Sequence, residues 1–175
     1  HHTHRVTGGG GVANIVWDYS SNNTNIGLFG WKAAQPSIRQ QSTDAFHNDM
    51  GLSSVHYPNG SNCTEKQTEC NQFENGNDLN KDFELSSGQI DLIEFYSSHL
   101  AVPARRDHDN EKVLAGKKIF YESGCTSCHT PKFITAKSNY SSALSEQLIW
   151  PYSDFLLHDM GDGLADESKA FKASG

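Results

Sequence analysis

The pentapeptide Cys125-Thr126-Ser127-Cys128-His129 decides how this chain is interpreted. Two thiols separated by two residues can add across the two vinyl groups of one haem, and the histidine that follows can bind the iron. The spacing therefore predicts one covalent haem c on Cys125 and Cys128, with His129 as the axial iron ligand.

Two other uses of a CxxC sequence fit less well. A zinc knuckle needs a second ligand pair, and Cys63 and Cys70 are too far apart in sequence to provide it. A thioredoxin-like redox pair follows a strand and opens a helix. The pair Cys125 and Cys128 instead follows a segment with a helical pattern.

Cys63 and Cys70 lie in a polar stretch of their own. In an oxidising compartment we expect a disulfide between them, which closes a short loop and contributes about 2–3 kcal/mol by the loop-entropy model. The alternative is a dithiol that takes part in exchange reactions.

The composition restricts the class of protein. The chain has 175 residues, a formal net charge of −7 and 35% hydrophobic residues, which suits one large domain or two small ones. A covalent haem can serve as core material in so polar a chain. The acidic charge excludes nucleic acid as a partner and leaves room for a basic electron-donor protein or a small redox substrate. No apolar run has membrane-spanning length.

The cellular compartment follows from the same chemistry. Haem attachment to CxxCH takes place in oxidising compartments, so we expect a bacterial periplasmic or secreted protein. No signal peptide is recognisable. We therefore expect a mature form or a fragment.

Hydrophobic periodicity predicts three helices. They cover 36–50, with Pro36 in the first turn and Gly51 as the stop, then 86–101, capped by Ser86 or Ser87, and a third from Asp107 or Asp109 to Gly124. One short strand is expected near residues 15–17 and an irregular loop at 52–82. The second helix carries the predicted buried residues Ile90, Ile93, Phe95, Tyr96 and Leu100. The predicted fold is mainly α, a cytochrome c-like helical haem domain with long irregular loops.

Five residues near the motif are candidates for forming the haem site. Gly116 precedes Phe120 by one helical turn, so another helix can cross closely while the ring covers the haem edge. Pro131 is expected to position the carbonyl that accepts the Nδ1 proton of His129. Arg105 and its neighbour Arg106 can pair with the haem propionates, or belong to a solvated linker.

The sixth iron ligand is left open between several residues. Met160 lies at a plausible distance from His129, and methionine there is typical of an electron-transfer haem. His158 is the second candidate. His47 and Met50 rank lower, because a long loop separates them from the motif.

Several longer stretches resemble the di-haem oxidoreductase family, a group of peroxidase-like proteins also labelled thiol oxidoreductases and distantly similar to bacterial di-haem cytochrome c peroxidases. The last stretch is the most specific. The matching residues are 29–33, 35–37, 45–51, 100–106, 124–131, 151–154, 157–161 and 163–166.

The resemblance implies a longer protein with two CxxCH sites, so a second haem is expected in the full-length protein. Residues 1–82 then correspond to the C-terminal part of a first cytochrome c-like domain plus a loop, and 83–175 to a second domain that is incomplete at its C-terminus. The implied function is enzymatic: one haem stores or relays an electron while the other reacts with peroxide or another substrate. The catalytic residues are unknown, and Glu94, Glu122 and His158 are candidates for the base that moves the peroxide proton.

Two other functions compete with this one. An electron-transfer cytochrome without substrate turnover is favoured by the single CxxCH and by Met160. Thiol-linked redox chemistry through Cys63 and Cys70 is the third interpretation, and follows the family's other label.

Overall fold

The computed structural model describes residues 10–74, 76–77 and 82–164, which form two compact units. The first unit comprises residues 14–98. The second comprises residues 10–13 together with 99–164. The units divide near residue 98, because the helix that begins at Ser87 packs against an earlier helix of the first unit. The domain boundary at 82/83 that the resemblance implies stays a prediction.

The first unit contains one hairpin and two helices. Strands β1 (Ile15–Asp18) and β2 (Asn23–Ile26) pair antiparallel, with Ile15 opposite Ile26. The predicted strand at 15–17 is confirmed, and its partner β2 is an addition. Helix α1 (Ile38–Met50) is confirmed, and so is its end at Gly51, which has φ 70°. The predicted position of Pro36 is wrong, since Ser37 caps the helix and Pro36 precedes the cap.

Helix α2 (Ser87–Ser98) is shorter than predicted and buries less. Ser86 caps it, since its hydroxyl accepts from the Gln89 amide. Ile90 is fully buried, but the predicted buried residues Phe95, Tyr96 and Leu100 are more than half exposed. The helix packs against α1 along a single face, so the buried stripe is narrower than the sequence pattern suggests.

The core of the first unit is small and partly polar. Ser53 is fully buried and has several partners: its amide donates to Glu84, its carbonyl accepts from Leu85, and its hydroxyl accepts from the Glu84 amide. These hydrogen bonds satisfy buried polar groups that would otherwise destabilise the fold. They also join the described parts of the predicted loop at 52–82 to the start of α2.

The second unit holds helix α3 (Glu111–Glu122) and a short antiparallel pair, β3 (Phe133–Ile134) with β4 (Leu148–Ile149). Single 3₁₀ turns lie at Cys125–Ser127, Ser142–Leu144 and Asp162–Leu164. Asn110 caps α3, so the helix begins after both predicted start residues, Asp107 and Asp109. The cytochrome c-like class stays a prediction.

Within the described residues, no helix combines the length and the apolar character that a membrane crossing requires. Residues 1–9 of the implied first domain and residues 165–175 of the implied second domain lie outside the described residues.

Candidate functional site

Helix α3 leads directly into the CxxCH sequence. The helix ends at Ser123, and Gly124 adopts the left-handed conformation, φ 77°, which turns the chain into the 3₁₀ turn at Cys125–Ser127. The amide of His129 donates to the carbonyl of Cys125 at 2.9 Å. Both cysteines are free thiols and half-buried, so the turn places the two sulfurs and the imidazole in one short loop.

The His129 ring is oriented by a backbone carbonyl that is distant in sequence but close in space. Its Nδ1 lies 3.0 Å from the carbonyl oxygen of Tyr152. A carbonyl can only accept, so Nδ1 carries the proton and Nε2 keeps a lone pair that can bind a metal. The sequence predicts that Pro131 positions this carbonyl, whereas in the structure the acceptor is the carbonyl of Tyr152.

Two further contacts join the CxxCH sequence to residues 152–158, which we call the arch, and a third lies within the arch. The amide of Asp154 donates to the carbonyl of Cys128 at 3.1 Å. His158 places Nδ1 3.8 Å from the sulfur of Cys128 and Nε2 2.8 Å from the Asp154 carboxylate. The arch thus contacts both the second cysteine and the histidine of the motif.

The two candidates for the sixth iron ligand differ in their surroundings. Both ring nitrogens of His158 have partners, so this side chain would have to release one of them to bind iron. Met160 is 66% exposed and precedes Gly161, which has φ 82°. Of the two, Met160 is the simpler candidate, and its ligation stays a prediction.

A cleft of about 1020 Å³ adjoins the motif. Its volume is at the upper end of the range for small-molecule and cofactor sites. Phe120 and Tyr152 line the cleft. The centroid of the Phe120 ring lies 6.2 Å from that of the His129 ring and 5.5 Å from that of the Tyr152 ring. The remaining lining residues are Val102, Pro103, Ala104, Arg105, His108, Gly116, Lys117, Leu148 and Trp150.

The chemistry of this cleft fits a haem. The macrocycle would lie against Phe120, Leu148 and Trp150, and the cationic residues Arg105 and Lys117 suit carboxylates such as the propionates. Of the two arginines proposed from the sequence, Arg105 lines the cleft, whereas Arg106 is not part of its lining. The free thiols of the adjoining motif complete a donor set suited to a covalent c-type haem.

Gly116 lies beside the cleft, and no helix crosses over it in the part of the chain that the structure describes. A Cβ atom at this position would meet nothing within 4 Å. Its small size therefore widens the cleft.

The three candidate bases all have partners. Glu94 pairs with Arg39 at 3.1 Å, Glu122 lies 3.7 Å from Lys118, and His158 contacts Asp154. Glu94 belongs to the first unit, and the other two belong to the unit that holds the motif. Among the described residues, no three or more His, Cys, Asp or Glu side chains gather into a metal-binding group.

The lower-ranked ligand candidates lie in the first unit. His47 stacks on Tyr57, with ring centroids 4.5 Å apart, and Met50 is 62% exposed. Neither residue belongs to the compact unit that contains the CxxCH sequence.

Cys63 and Cys70 are joined as a disulfide, with Cα atoms 6.3 Å apart. This separation lies within the range that disulfides adopt. The Ser61 hydroxyl lies 3.6 Å from the sulfur of Cys70.

Comparison with known families matches residues 4–175 to the model described as "Di-haem oxidoreductase, putative peroxidase". No curated protein and no solved structure matches the sequence significantly. The family match covers both compact units and includes the CxxCH sequence, the cleft and the arch.

Proposed function

Because the chain belongs to the di-haem oxidoreductase family, we propose that it is a periplasmic c-type haem oxidoreductase with peroxidase-like activity. The observation that carries the proposal is the contact between His129 Nδ1 and the Tyr152 carbonyl. It fixes the tautomer in which Nε2 is available to iron, beside two free thiols at haem-attachment spacing.

Each residue of the site has a role in this proposal. Cys125 and Cys128 hold the cofactor covalently, and His129 binds the iron from one side. Arg105 and Lys117 neutralise carboxylates at the cleft, and Phe120 covers an apolar edge. When bound, haem supplies one-electron redox chemistry at its iron.

The word "Di-haem" in the family description favours a second haem in the functional protein. Electrons would come from a donor protein or a small redox molecule. Pro131 and Arg106 remain candidate contacts of the cofactor. The cytochrome c-like class and the location in the bacterial periplasm belong to the same proposal.

Haem attachment is tested first. The protein is produced in a periplasm that attaches haem c, denatured, and assayed as the pyridine haemochrome. We expect one covalent haem per chain and none in the Cys125→Ser/Cys128→Ser variant. Haem that is extracted by acid and organic solvent from the unmodified chain would contradict covalent attachment.

Peroxidase-like activity is tested on the full-length protein with both haems. We expect turnover of hydrogen peroxide with a reduced electron donor, and loss of at least tenfold in the His129→Ala variant. Absence of any peroxide-dependent oxidation of the donor would refute the enzymatic proposal.

Electron transfer without turnover is the second candidate, favoured by the exposed Met160 in the unit that holds the motif. Electron paramagnetic resonance of the oxidised and half-reduced protein separates the two. A low-spin His/Met signal in the oxidised protein that only loses intensity on half-reduction supports electron transfer, because low-spin ferrous haem gives no signal, and Met160→Ala should remove it. A high-spin signal supports the peroxidase-like function.

Thiol chemistry is the third candidate, and a structural disulfide between Cys63 and Cys70 is its alternative. Free thiols are counted in denatured protein without reductant. A stable disulfide that resists mild reductant would exclude exchange chemistry at these two residues.

A further inference from the structure

Asp154 makes more contacts in the arch than its position in the sequence suggests. Its side chain is only 5% exposed. One carboxylate oxygen accepts from the Leu156 amide at 3.1 Å, and the other lies 2.8 Å from His158 Nε2. Its own amide donates to the carbonyl of Cys128. Asp154 thus joins Leu156 and His158 of the arch to the CxxCH sequence.

The carboxylate also determines the tautomer of His158. A carboxylate only accepts, so Nε2 of His158 carries the proton. In the neutral ring, the lone pair of Nδ1 then faces the sulfur of Cys128, 3.8 Å away. An amide in place of the carboxylate would offer a donor to Nε2 and favour the opposite tautomer.

The ring of His158 is held from its other side by the backbone. A Cβ atom on Gly11 would lie 2.7 Å from His158 Cε1 and equally close to Leu156 Cβ. Val12 and Leu157 exchange two backbone hydrogen bonds, at 2.8 and 2.9 Å. The side chain on which Asp154 acts therefore has little freedom to move.

The arch also contains unusual backbone conformations. Tyr152 and Phe155 have φ of 50° and 59°, in the left-handed region that residues other than glycine rarely adopt. Such conformations persist where the surroundings determine them strongly. Asp154 lies between the two and has contacts through its amide and both carboxylate oxygens.

From these contacts we infer that Asp154 is a positioning residue for the haem ligand His129. It holds the arch so that the Tyr152 carbonyl stays on Nδ1 of His129 and His158 stays against Cys128. The inference rests on the proposed haem function. A firm hydrogen bond from Nδ1–H increases electron donation by the imidazole and favours the oxidised iron.

The test compares Asp154→Asn with Asp159→Asn in the haem-loaded protein. Asp159 is a matched control, since it is exposed and its carboxylate accepts a local bond from the Gly161 amide. We expect a more positive reduction potential for Asp154→Asn and an unchanged one for the control. We also expect the amide of residue 154 to exchange its hydrogen at least tenfold faster in Asp154→Asn alone.

A potential or an exchange rate at residue 154 equal to that of the control would overturn the inference. If Asp154→Asn fails to fold, His158→Gln takes its place, because it keeps the carboxylate and removes the ring that faces Cys128. The same two results are expected from it. A chain that carries no haem would refute the proposed function, whereas hydrogen exchange on that chain would still test the role of Asp154.

Discussion

Ionisation of His56 should make the stability of the first unit depend on pH. Burial lowers the pKa of His56, the charge of Arg39 lowers it further, and Asp18 opposes them. The folded state thus favours the neutral ring. Below an unfolded-state pKa of about 6.5, the unfolded chain binds a proton that the folded chain binds less readily.

The lowered pKa of His56 predicts that the stability of the first unit depends on pH. The free energy of unfolding should fall as the pH is lowered from 7 to 5, since the lowered pKa makes protonation of His56 unfavourable in the fold. Urea titrations at several pH values measure it, and His56→Gln should flatten the profile. His108→Gln, at an exposed position of the other unit, is the control and should leave the slope in place. A slope that His56→Gln does not change would contradict the prediction.

For single residues, the sequence predicts the parts of the site that are close together along the chain. Cys125, Cys128 and His129 are recognisable because the chemistry needs those residue types at that spacing. The carbonyl of Tyr152 could not be found in this way, because a backbone carbonyl has no residue-type signal and lies 23 residues from His129. His158 was noted as an iron ligand candidate, whereas its contact with Asp154 depends on tertiary structure.

At the scale of secondary-structure elements, an arginine of α1 forms ion pairs with two carboxylates of α2. Arg39 of α1 contacts Asp91 and Glu94 of α2. Burial acts to lower the pKa of Arg39, but hydrogen bonds and the charges of the two carboxylates raise it overall. Arg39 and Glu94 are partly buried, so solvent screens this pair less than an exposed one.

We therefore predict different coupling energies for two ion pairs. A double-mutant cycle with Arg39→Ala and Glu94→Ala should give about 1 kcal/mol, at the upper end for ion pairs near a surface. The matched control is Lys118 with Glu122 in α3, where both side chains are largely exposed. Its coupling should stay below about 0.5 kcal/mol. Equal energies for both pairs would show that burial does not strengthen the first.

Two glycines near these helices should respond in opposite directions to replacement by alanine. Gly51 ends α1 with φ 70°, and an added Cβ would lie 3.2 Å from the carbonyl of Gly60, so Gly51→Ala should cost about 1 kcal/mol or more. Gly88 lies in α2 with open space around it, so Gly88→Ala should stabilise by about 0.5–1 kcal/mol. Thermal unfolding of both variants measures this, and a stabilising Gly51→Ala would refute the assignment of the cap.

Elements were predicted well where periodicity and caps are strong. The stop at Gly51 is confirmed, and so is the strand near residues 15–17. The burial of Phe95, Tyr96 and Leu100 was predicted wrongly, because apolar periodicity indicates a helix face and does not reveal how wide the contacting surface is.

At the scale of the whole molecule, the formal charge of −7 should control encounters with redox reagents. We predict that the reduced haem protein is oxidised faster by a cationic ruthenium complex at low ionic strength than at high ionic strength. For anionic ferricyanide the dependence should be reversed, because salt screens repulsion as well as attraction. Stopped-flow rates at several salt concentrations test this. Rates with the same salt dependence for both reagents would contradict steering by net charge.

The organisation into units was the least predictable feature. The contacts assign residues 83–98 to the first unit and residues 10–13 to the second, and the boundary at 82/83 from the resemblance stays a prediction. Pairings such as Val12 with Leu157 join residues at opposite ends of the chain, and single-sequence periodicity has no information about them.

The pairing of Val12 with Leu157 has a consequence for synthesis. About 145 residues separate the two partners, and a ribosome adds about 5–20 residues per second. Residues 10–13 therefore leave the ribosome on the order of 10 s before their partner segment. Closure of the second unit is thus a late step, and a translating chain arrested before residue 157 would lack it.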